Sequence, residues 1–122
     1  GNPHCVVPCP DGLPTAAQLA RRGAALAEHP AFLCGANVEF VHAVSPACLA
    51  VSVWERGSGA TLACGTGACA AAVAMVLQGV CRRCTPIEVQ LPGGVLTVCV
   101  SPDDTVQLTG DAVTVFTGEV TV

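Results

Sequence analysis

The stretch from Trp54 to Cys69, WERGSGATLACGTGAC, determines how the rest of the chain is organised. A β-branched run brings a Glu-Arg pair to a glycine-rich loop, and the loop brings Cys64 to the start of a helix of small residues. The positive end of a helix dipole stabilises a thiolate, which is the reactive form of cysteine. The backbone N–H groups of Gly65 and Thr66, in the first turn, have no acceptor within the helix. The stretch therefore predicts an activated thiol beside an anion-binding site.

The composition bounds the size and class of the protein. At 122 residues the chain suits a single domain with one hydrophobic core. It is 52% hydrophobic and only 11% charged, whereas soluble domains average about 25% charged residues. Such a chain either buries an unusual share of its residues or leaves an apolar surface for another segment to cover.

Charge and hydropathy argue against two classes of partner. The net charge of −4 and the five scattered arginines are not typical of a protein that binds nucleic acid. The longest apolar run, Ala68 to Leu77, is much shorter than the roughly 20 residues that cross a membrane. The nine cysteines lie inside strand-like and helix-like runs, so we expect most of them to be small buried hydrophobes in a reducing compartment rather than members of disulfides.

Hydrophobic periodicity and turn residues predict an α+β fold with a sheet wrapped around a central helix. Segment 67–78 is apolar on every side, which is typical of a buried helix. A second helix is expected after Thr15, an N-cap with Gln18 in the capping-box position, and Pro30 stops it. Strands are predicted at 4–7, 37–44, 49–54, 86–91, 94–101, 106–109 and 112–122. Pro92-Gly93 marks a hairpin turn.

Glu55 and Arg56 form a charged pair at the end of a predicted strand. Adjacent strand residues point to opposite faces, so we do not expect the two side chains to pair with each other. One interpretation is a solvated strand end. The other is that Arg56 binds a carboxylate while Glu55 receives an ammonium group or tunes the thiol, which suits an amino-acid ligand.

The remaining polar residues carry less information. Asn2 and His4 place an amide and an imidazole in the opening loop, whereas His29 and His42 are interpreted as structural. The segment Cys81–Cys84 has the spacing of a redox or zinc pair, but a structural zinc site needs a second pair of matching ligands. The sequence therefore predicts no metal site.

Six motifs follow one another along the whole chain: GNPH at 1–4, NVEF at 37–40, WERG at 54–57, ACGTGA at 63–68, LPGG at 91–94 and TG at 109–110. Together they resemble the C-terminal half of diaminopimelate epimerase, within the superfamily of cofactor-independent amino-acid racemases and epimerases. The CGTG element is shared with proline racemase-like relatives, and the first three motifs point to the epimerase. The resemblance implies a mixed, mostly antiparallel sheet or barrel around a central apolar helix.

The resemblance also implies an activity, the interconversion of LL- and meso-diaminopimelate in lysine biosynthesis without a cofactor. Two cysteines face the α-carbon from opposite sides, and one thiolate removes a proton while the other thiol returns one. Cys64 would be one of them, with Glu55 tuning a cysteine and His4 modulating the partner cysteine. The residues implied to bind the substrate are Asn2, Asn37, Glu55, Arg56, Gly65 and Thr66.

The resemblance further implies that residues 1–122 are the C-terminal domain of a two-domain epimerase, without its first strands and without the N-terminal half that carries the second cysteine. Cys69 cannot replace that cysteine, because it lies on the same helix as Cys64. We therefore expect the 122 residues alone to be inactive. Three positions depart from the family pattern, Ser52, Ala60 and Asp111, and Ala60 is expected to loosen the loop.

Two alternatives stay open beside this interpretation. One is a related amino-acid racemase or isomerase of the same fold, and the other is a non-catalytic remnant or structural subunit of a larger assembly. The expected partners are diaminopimelate, the absent half and, as an open assembly state, a second copy in a homodimer. The expected location is the bacterial cytoplasm, or the plastid stroma if the source is an alga or plant.

Overall fold

A computed structural model describes residues 2–122, which form two helices and seven strands. Neither helix in this range is long and apolar enough to cross a membrane. In chain order the elements are β1 (His4–Pro8), α1 (Ala16–Ala27), β2 (Asn37–Ser45), β3 (Cys48–Glu55), β4 (Gly59–Thr61), α2 (Gly65–Leu77), β5 (Ile87–Leu91), β6 (Gly94–Val100) and β7 (Val106–Thr109).

The sheet is mixed and mostly antiparallel, as expected. Its strands pair in the order β1-β2-β3-β5-β6-β7, and β4 pairs with β3. The β1–β2 and β3–β5 pairs are parallel, and the other four are antiparallel. Pro92-Gly93 joins β5 to β6 with Leu91 opposite Gly94, which confirms the predicted hairpin.

Helix α1 begins with the predicted capping box. Thr15 Oγ1 accepts a hydrogen bond from the backbone N–H of Gln18 at 3.2 Å, and Gln18 Oε1 accepts one from the N–H of Thr15 at 2.9 Å. The helix packs against Trp54 through Gly23, where an added Cβ would lie 2.6 Å from the Trp54 side chain. Only glycine permits this close approach, and α1 thereby covers β3 where the stretch from Trp54 to Cys69 begins.

Helix α2 lies at the centre of the sheet and contacts β1, β2, β3, β5, β6 and β7. Its small residues Ala68, Ala71 and Ala72 are completely buried, which lets the strands approach the helix closely. The expectation that the helix is buried on every side is wrong, because Leu77 is 69% exposed. Within residues 2–122 the sheet has β1 and β7 at its edges and does not close around the helix.

Two predicted elements differ from the structure. Residues 112–122 form no strand, and all of them are exposed. Their β-branched pattern suits a strand, but no strand of residues 2–122 pairs with them. Conversely, Gly59–Thr61 pairs with β3 although the sequence suggested a loop. Gly57, at a φ of +85°, permits the tight turn between β3 and β4.

The β3–β4 pair also changes the interpretation of Ala60. Ala60 lies directly opposite Trp54 in this antiparallel pair. Backbone pairing therefore holds the chain at Ala60, the position that was expected to loosen the loop.

Candidate active site

Cys64 is the N-cap of α2, as the sequence predicted. Its backbone is extended, with φ −146° and ψ 110°, and its Sγ accepts a hydrogen bond from the N–H of Gly67 at 3.3 Å. The first helical hydrogen bond runs from the N–H of Ala68 to the Cys64 carbonyl. Within residues 2–122, the N–H groups of Gly65 and Thr66 have no acceptor. Two donors are therefore available beside the sulfur, at the positive end of the helix.

The pKa of the Cys64 thiol is raised above its ordinary value, although the helix terminus was expected to favour the thiolate. Burial is the largest cause, and the carboxylate of Glu55 raises the pKa further. Hydrogen bonds from Thr66, whose Oγ1 lies 3.5 Å from the sulfur, and from the N–H of Gly67 act in the opposite direction. The loss of hydration and the nearby negative charge outweigh the two hydrogen bonds. Cys64 therefore favours the neutral thiol in this chain.

Asn37 connects the opening loop to the Glu-Arg pair. It begins β2, is 9% exposed, and its N–H donates to the carbonyl of Pro3 at 2.9 Å. Its Oδ1 accepts a hydrogen bond from the backbone N–H of Arg56 at 2.8 Å. Because β1 and β2 are parallel with His4 opposite Asn37, the motifs at 2–4, 37–40 and 54–57 meet at one end of the sheet.

Arg56 is exposed, and its guanidinium is oriented by the loop that precedes β2. Its Nη1 donates to the carbonyl of Cys34. Its Cδ packs so closely on Gly35 that an added Cβ there would lie 2.7 Å away. Within residues 2–122 Arg56 forms no ion pair. A guanidinium that is held in place and lacks a carboxylate partner is suited to bind an anionic group of a ligand.

His4 contacts a residue that the sequence analysis did not identify. Its Nδ1 lies 2.7 Å from Oε1 of Glu39, which is completely buried in β2. The other carboxylate oxygen, Oε2, is buried without a hydrogen-bond partner among the described residues. Burial raises the pKa of Glu39, the hydrogen bond and charge of His4 lower it, and the charge of Glu55 raises it. A single charged residue inside an apolar strand was the signal that could have revealed it.

Gly67 allows Glu39 and Cys64 to approach each other. A Cβ on Gly67 would lie 2.9 Å from Glu39 Oε1 and 3.2 Å from Cys64 Sγ. Real Cβ atoms are rarely so close to other atoms, so an alanine would displace one of the two groups. The second glycine of the CGTG element thus keeps the buried carboxylate and the sulfur close together.

The structure therefore assembles most of the expected site residues at one end of the sheet. Cys64, Gly65 and Thr66 lie in the first turn of α2, while Glu55, Arg56 and Asn37 lie where β3 ends and β2 begins. His4 begins β1, and Asn2 lies exposed just before it. Arg56 lies on the outer side beside Cys34, whereas Glu55 influences Cys64, which agrees with the expectation that the two side chains point apart.

The other polar residues noted in the sequence make contacts outside this group of residues. His42 Nδ1 contacts the carbonyl of Cys9 at 2.8 Å, and His29 Nδ1 accepts from the N–H of Ala31. Cys81 is buried while Cys84 is exposed. No group of three or more His, Cys, Asp or Glu side chains in residues 2–122 is arranged to hold a metal ion.

Comparison with known proteins identifies close relatives. The family model for diaminopimelate epimerase matches residues 1–121. The diaminopimelate epimerases of Desulforudis audaxviator, Synechococcus elongatus and Bacillus subtilis align with 98%, 97% and 97% of this chain. Over the aligned residues their sequence identities are 51%, 48% and 49%, respectively. The chain covers 42%, 41% and 41% of those proteins, so it spans about two fifths of their length.

A solved structure supports the fold. The Bacillus anthracis phenazine biosynthesis protein of the PhzF family matches with a TM-score of 0.65 and 19% identity. The match covers 88% of this chain and 34% of that one. At this identity the likeness concerns the fold alone, a mixed sheet with helices in the α+β class.

Proposed function

The chain belongs to the diaminopimelate epimerase family, and on that premise we propose that it supplies one half of a two-cysteine site that interconverts LL- and meso-diaminopimelate. The reaction is a step in lysine biosynthesis and, in this proposal, needs no cofactor. The carrying observation is Cys64 at the N-terminus of α2, with two available N–H donors in the same helical turn.

The chemistry is the exchange of a proton at one α-carbon. A thiolate on one side removes the α-proton and becomes a thiol, while a thiol on the opposite side gives its proton to the carbanion and becomes a thiolate. The configuration is inverted, and no proton is gained or lost overall. The α-proton is only weakly acidic, so the negative charge that develops on the α-carboxylate must be stabilised.

The first turn of α2 supplies that stabilisation. The N–H groups of Gly65 and Thr66 would donate to the α-carboxylate, and the helix dipole favours negative charge at this end. Donors that are already oriented need no reorganisation when the charge develops.

The raised pKa of Cys64 supports a starting form as the thiol in one direction of the reaction. Because burial and Glu55 favour the thiol, Cys64 begins as the proton donor when the partner cysteine abstracts the proton. In the reverse direction Cys64 must act as the thiolate. Substrate binding then has to lower its pKa, and an ammonium group near Glu55 would do so by neutralising that carboxylate.

The remaining residues would select the substrate. Arg56 would bind a carboxylate, held by Cys34 and by the backbone contact to Asn37. Asn2 and Asn37 would hold the distal amino-acid group, and His4 would modulate the partner cysteine. These roles rest on the family resemblance and on the position of all four residues at one end of the sheet.

The partner cysteine is proposed to lie outside residues 1–122, in an N-terminal half that faces this domain. Cys69 lies on the same helix as Cys64, so the two cannot face a substrate from opposite sides. The relatives are more than twice as long as this chain. We therefore expect the isolated 122 residues to be inactive and the site to form between two halves.

The test is interconversion of LL- and meso-diaminopimelate by the longest natural polypeptide that carries this chain. Cys64→Ser should abolish it, whereas Cys99→Ser, which alters a half-buried thiol on β6, should not. Full activity in Cys64→Ser would refute the assignment of Cys64. Turnover of other amino acids in preference to diaminopimelate would favour a related racemase, and no turnover of any amino acid would favour a structural subunit.

A further inference from the structure

Glu39 is a buried acid whose position the proposed chemistry does not explain. Its side chain is 0% exposed, and its only hydrogen bond within residues 2–122 joins Oε1 to His4 Nδ1 at 2.7 Å. Oε2 is buried without a partner there. Burying a carboxyl group with one oxygen unsatisfied destabilises a fold, so a residue of this kind needs a compensating role.

The strand register brings Glu39 to His4. In the parallel β1–β2 pair, His4 lies opposite Asn37, and Glu39 is two residues further along β2. Residues two apart in a strand point to the same face, so Glu39 lies diagonally across from His4 on that face. The contact thus depends on the same pairing that brings Asn37 to the opening loop.

Glu39 also lies against the turn that holds Cys64. Its Oε1 and the Cys64 Sγ lie 2.9 and 3.2 Å from the point where a Cβ of Gly67 would be. The carboxylate therefore approaches the N-terminus of α2, where the helix dipole favours negative charge. One buried group consequently contacts the imidazole on one side and the first helical turn on the other.

We infer that Glu39 is a positioning residue, which holds the His4 imidazole at the N-terminus of α2 with Nδ1 protonated and Nε2 as the available nitrogen. A carboxylate can only accept a hydrogen bond, so it selects the tautomer that carries its proton on Nδ1. Nε2 has no hydrogen-bond partner within residues 2–122. It can therefore act as a proton acceptor toward a neighbouring group.

The tautomer of His4 is inferred from its contact with Glu39 alone. The catalytic consequence of that tautomer rests on the proposed function. If His4 modulates the partner cysteine, a wrong tautomer would present an N–H where an acceptor is needed. Residues that orient a functional histidine typically contribute about 10- to 100-fold in metal sites, and we expect a loss of turnover of this order here. Substrate affinity should change little, because Glu39 is completely buried.

The experiment combines ¹⁵N NMR of the imidazoles with steady-state kinetics on the longest natural polypeptide that carries this chain. The imidazole signals that disappear in a His4→Gln variant identify His4 among the histidines of that polypeptide. At about pH 8 a free imidazole is neutral, so the two tautomers are distinguishable by which nitrogen is protonated. Wild type should show His4 protonated on Nδ1. An unprotonated Nδ1 would overturn the inference without any variant.

Glu39→Leu removes the acceptor of the Nδ1 proton and leaves an apolar side chain of similar size. His4 should shift toward the tautomer protonated on Nε2, with a lower kcat and a nearly unchanged KM. Glu88→Leu is the matched control, since Glu88 also lies on a strand and accepts a side-chain hydrogen bond, from Gln90. It should leave the His4 signals and kcat as in wild type.

The possible outcomes separate the inference from the proposed function. If His4 keeps its wild-type tautomer in Glu39→Leu, the inference is wrong, whatever the activity. If the tautomer changes in Glu39→Leu but wild type does not turn over diaminopimelate, the positioning role stands and the proposed function fails. If the tautomer changes and kcat does not, the catalytic part of the inference is wrong.

Discussion

Replacing Gly67 by alanine tests whether the close approach of Glu39 and Cys64 is a real constraint. Gly67 is the third residue of α2, where a Cβ would meet Glu39 Oε1 at 2.9 Å and Cys64 Sγ at 3.2 Å. Alanine in a helix interior is favoured over glycine by about 1 kcal/mol. Overpacking a buried site costs about 1–3 kcal/mol. Since Gly67 lies in the first turn, the helical gain is reduced and the clash should prevail.

We therefore expect Gly67→Ala to lower the free energy of unfolding by about 1 kcal/mol, and the melting temperature by roughly 4 °C for a domain of this size. Gly65→Ala is the control in the same turn. There a Cβ meets only Leu108 Cδ2 at 3.1 Å, and Leu108 is 43% exposed and can move aside. Its free energy of unfolding should stay within about 0.5 kcal/mol of wild type.

Urea unfolding followed by circular dichroism measures both variants. A second measurement is the alkylation rate of Cys64. If the sulfur moves away from the Gly67 N–H, it loses a hydrogen bond that lowers its pKa. Alkylation at neutral pH should then be slower in Gly67→Ala. A Gly67→Ala variant that equals or exceeds wild type in stability would refute the packing argument.

Three further predictions concern two carboxyl groups and one hydrogen bond of the site. Because the Glu55 carboxylate raises the pKa of Cys64, Glu55→Gln should lower that pKa and speed alkylation of Cys64 at neutral pH. Glu88→Gln is the control and should leave the alkylation rate unchanged. An unchanged rate in Glu55→Gln would contradict the claim that Glu55 raises the pKa of Cys64. Because burial raises the pKa of Glu39 above its ordinary value of 4.5, its contribution to stability is complete below pH 4.5 and is lost as the pH rises through the folded-state pKa. The free energy of unfolding of wild type should thus fall relative to that of Glu39→Gln as the pH rises above 4.5. A difference between the two free energies that stays constant with pH would count against a raised pKa of Glu39. Asn37→Ala removes the acceptor of the Arg56 N–H and should lower the free energy of unfolding in urea by about 1 kcal/mol. Asn2→Ala, at an exposed position, is the control and should lower it little. Equal stability of the two variants would show that the hydrogen bond between Asn37 and Arg56 does not stabilise the fold.

Local signals in the sequence were sufficient to predict much of the fold. The capping box at Thr15 and Gln18, the Pro92-Gly93 hairpin and the helix that begins after Cys64 each depend on residues close together in the chain. The all-apolar pattern of α2 also indicated its central position. The strand predicted at 112–122 failed because a β-branched pattern specifies a conformation and not a partner, and no strand of residues 2–122 pairs with it.

The site was less predictable, because its properties arise from long-range contacts. Glu39 becomes a partner of His4 only through the parallel β1–β2 pairing, which joins residues 35 positions apart. For Cys64, the sequence indicated both the helix terminus and a tuning role for Glu55, but not the burial that, together with Glu55, raises the pKa of the thiol. The sequence reveals which titratable side chains are present, whereas their burial and their neighbours in the fold determine which protonation state is favoured.

The most direct test of the central claim is exchange of the α-proton of diaminopimelate with solvent deuterium. The longest natural polypeptide that carries this chain is incubated with diaminopimelate in D₂O, and the α-proton signal is followed by ¹H NMR. We predict that wild type incorporates deuterium at one of the two α-carbons, and that Cys64→Ser incorporates none while Cys99→Ser matches wild type. Undiminished incorporation in Cys64→Ser would contradict the claim that Cys64 moves this proton.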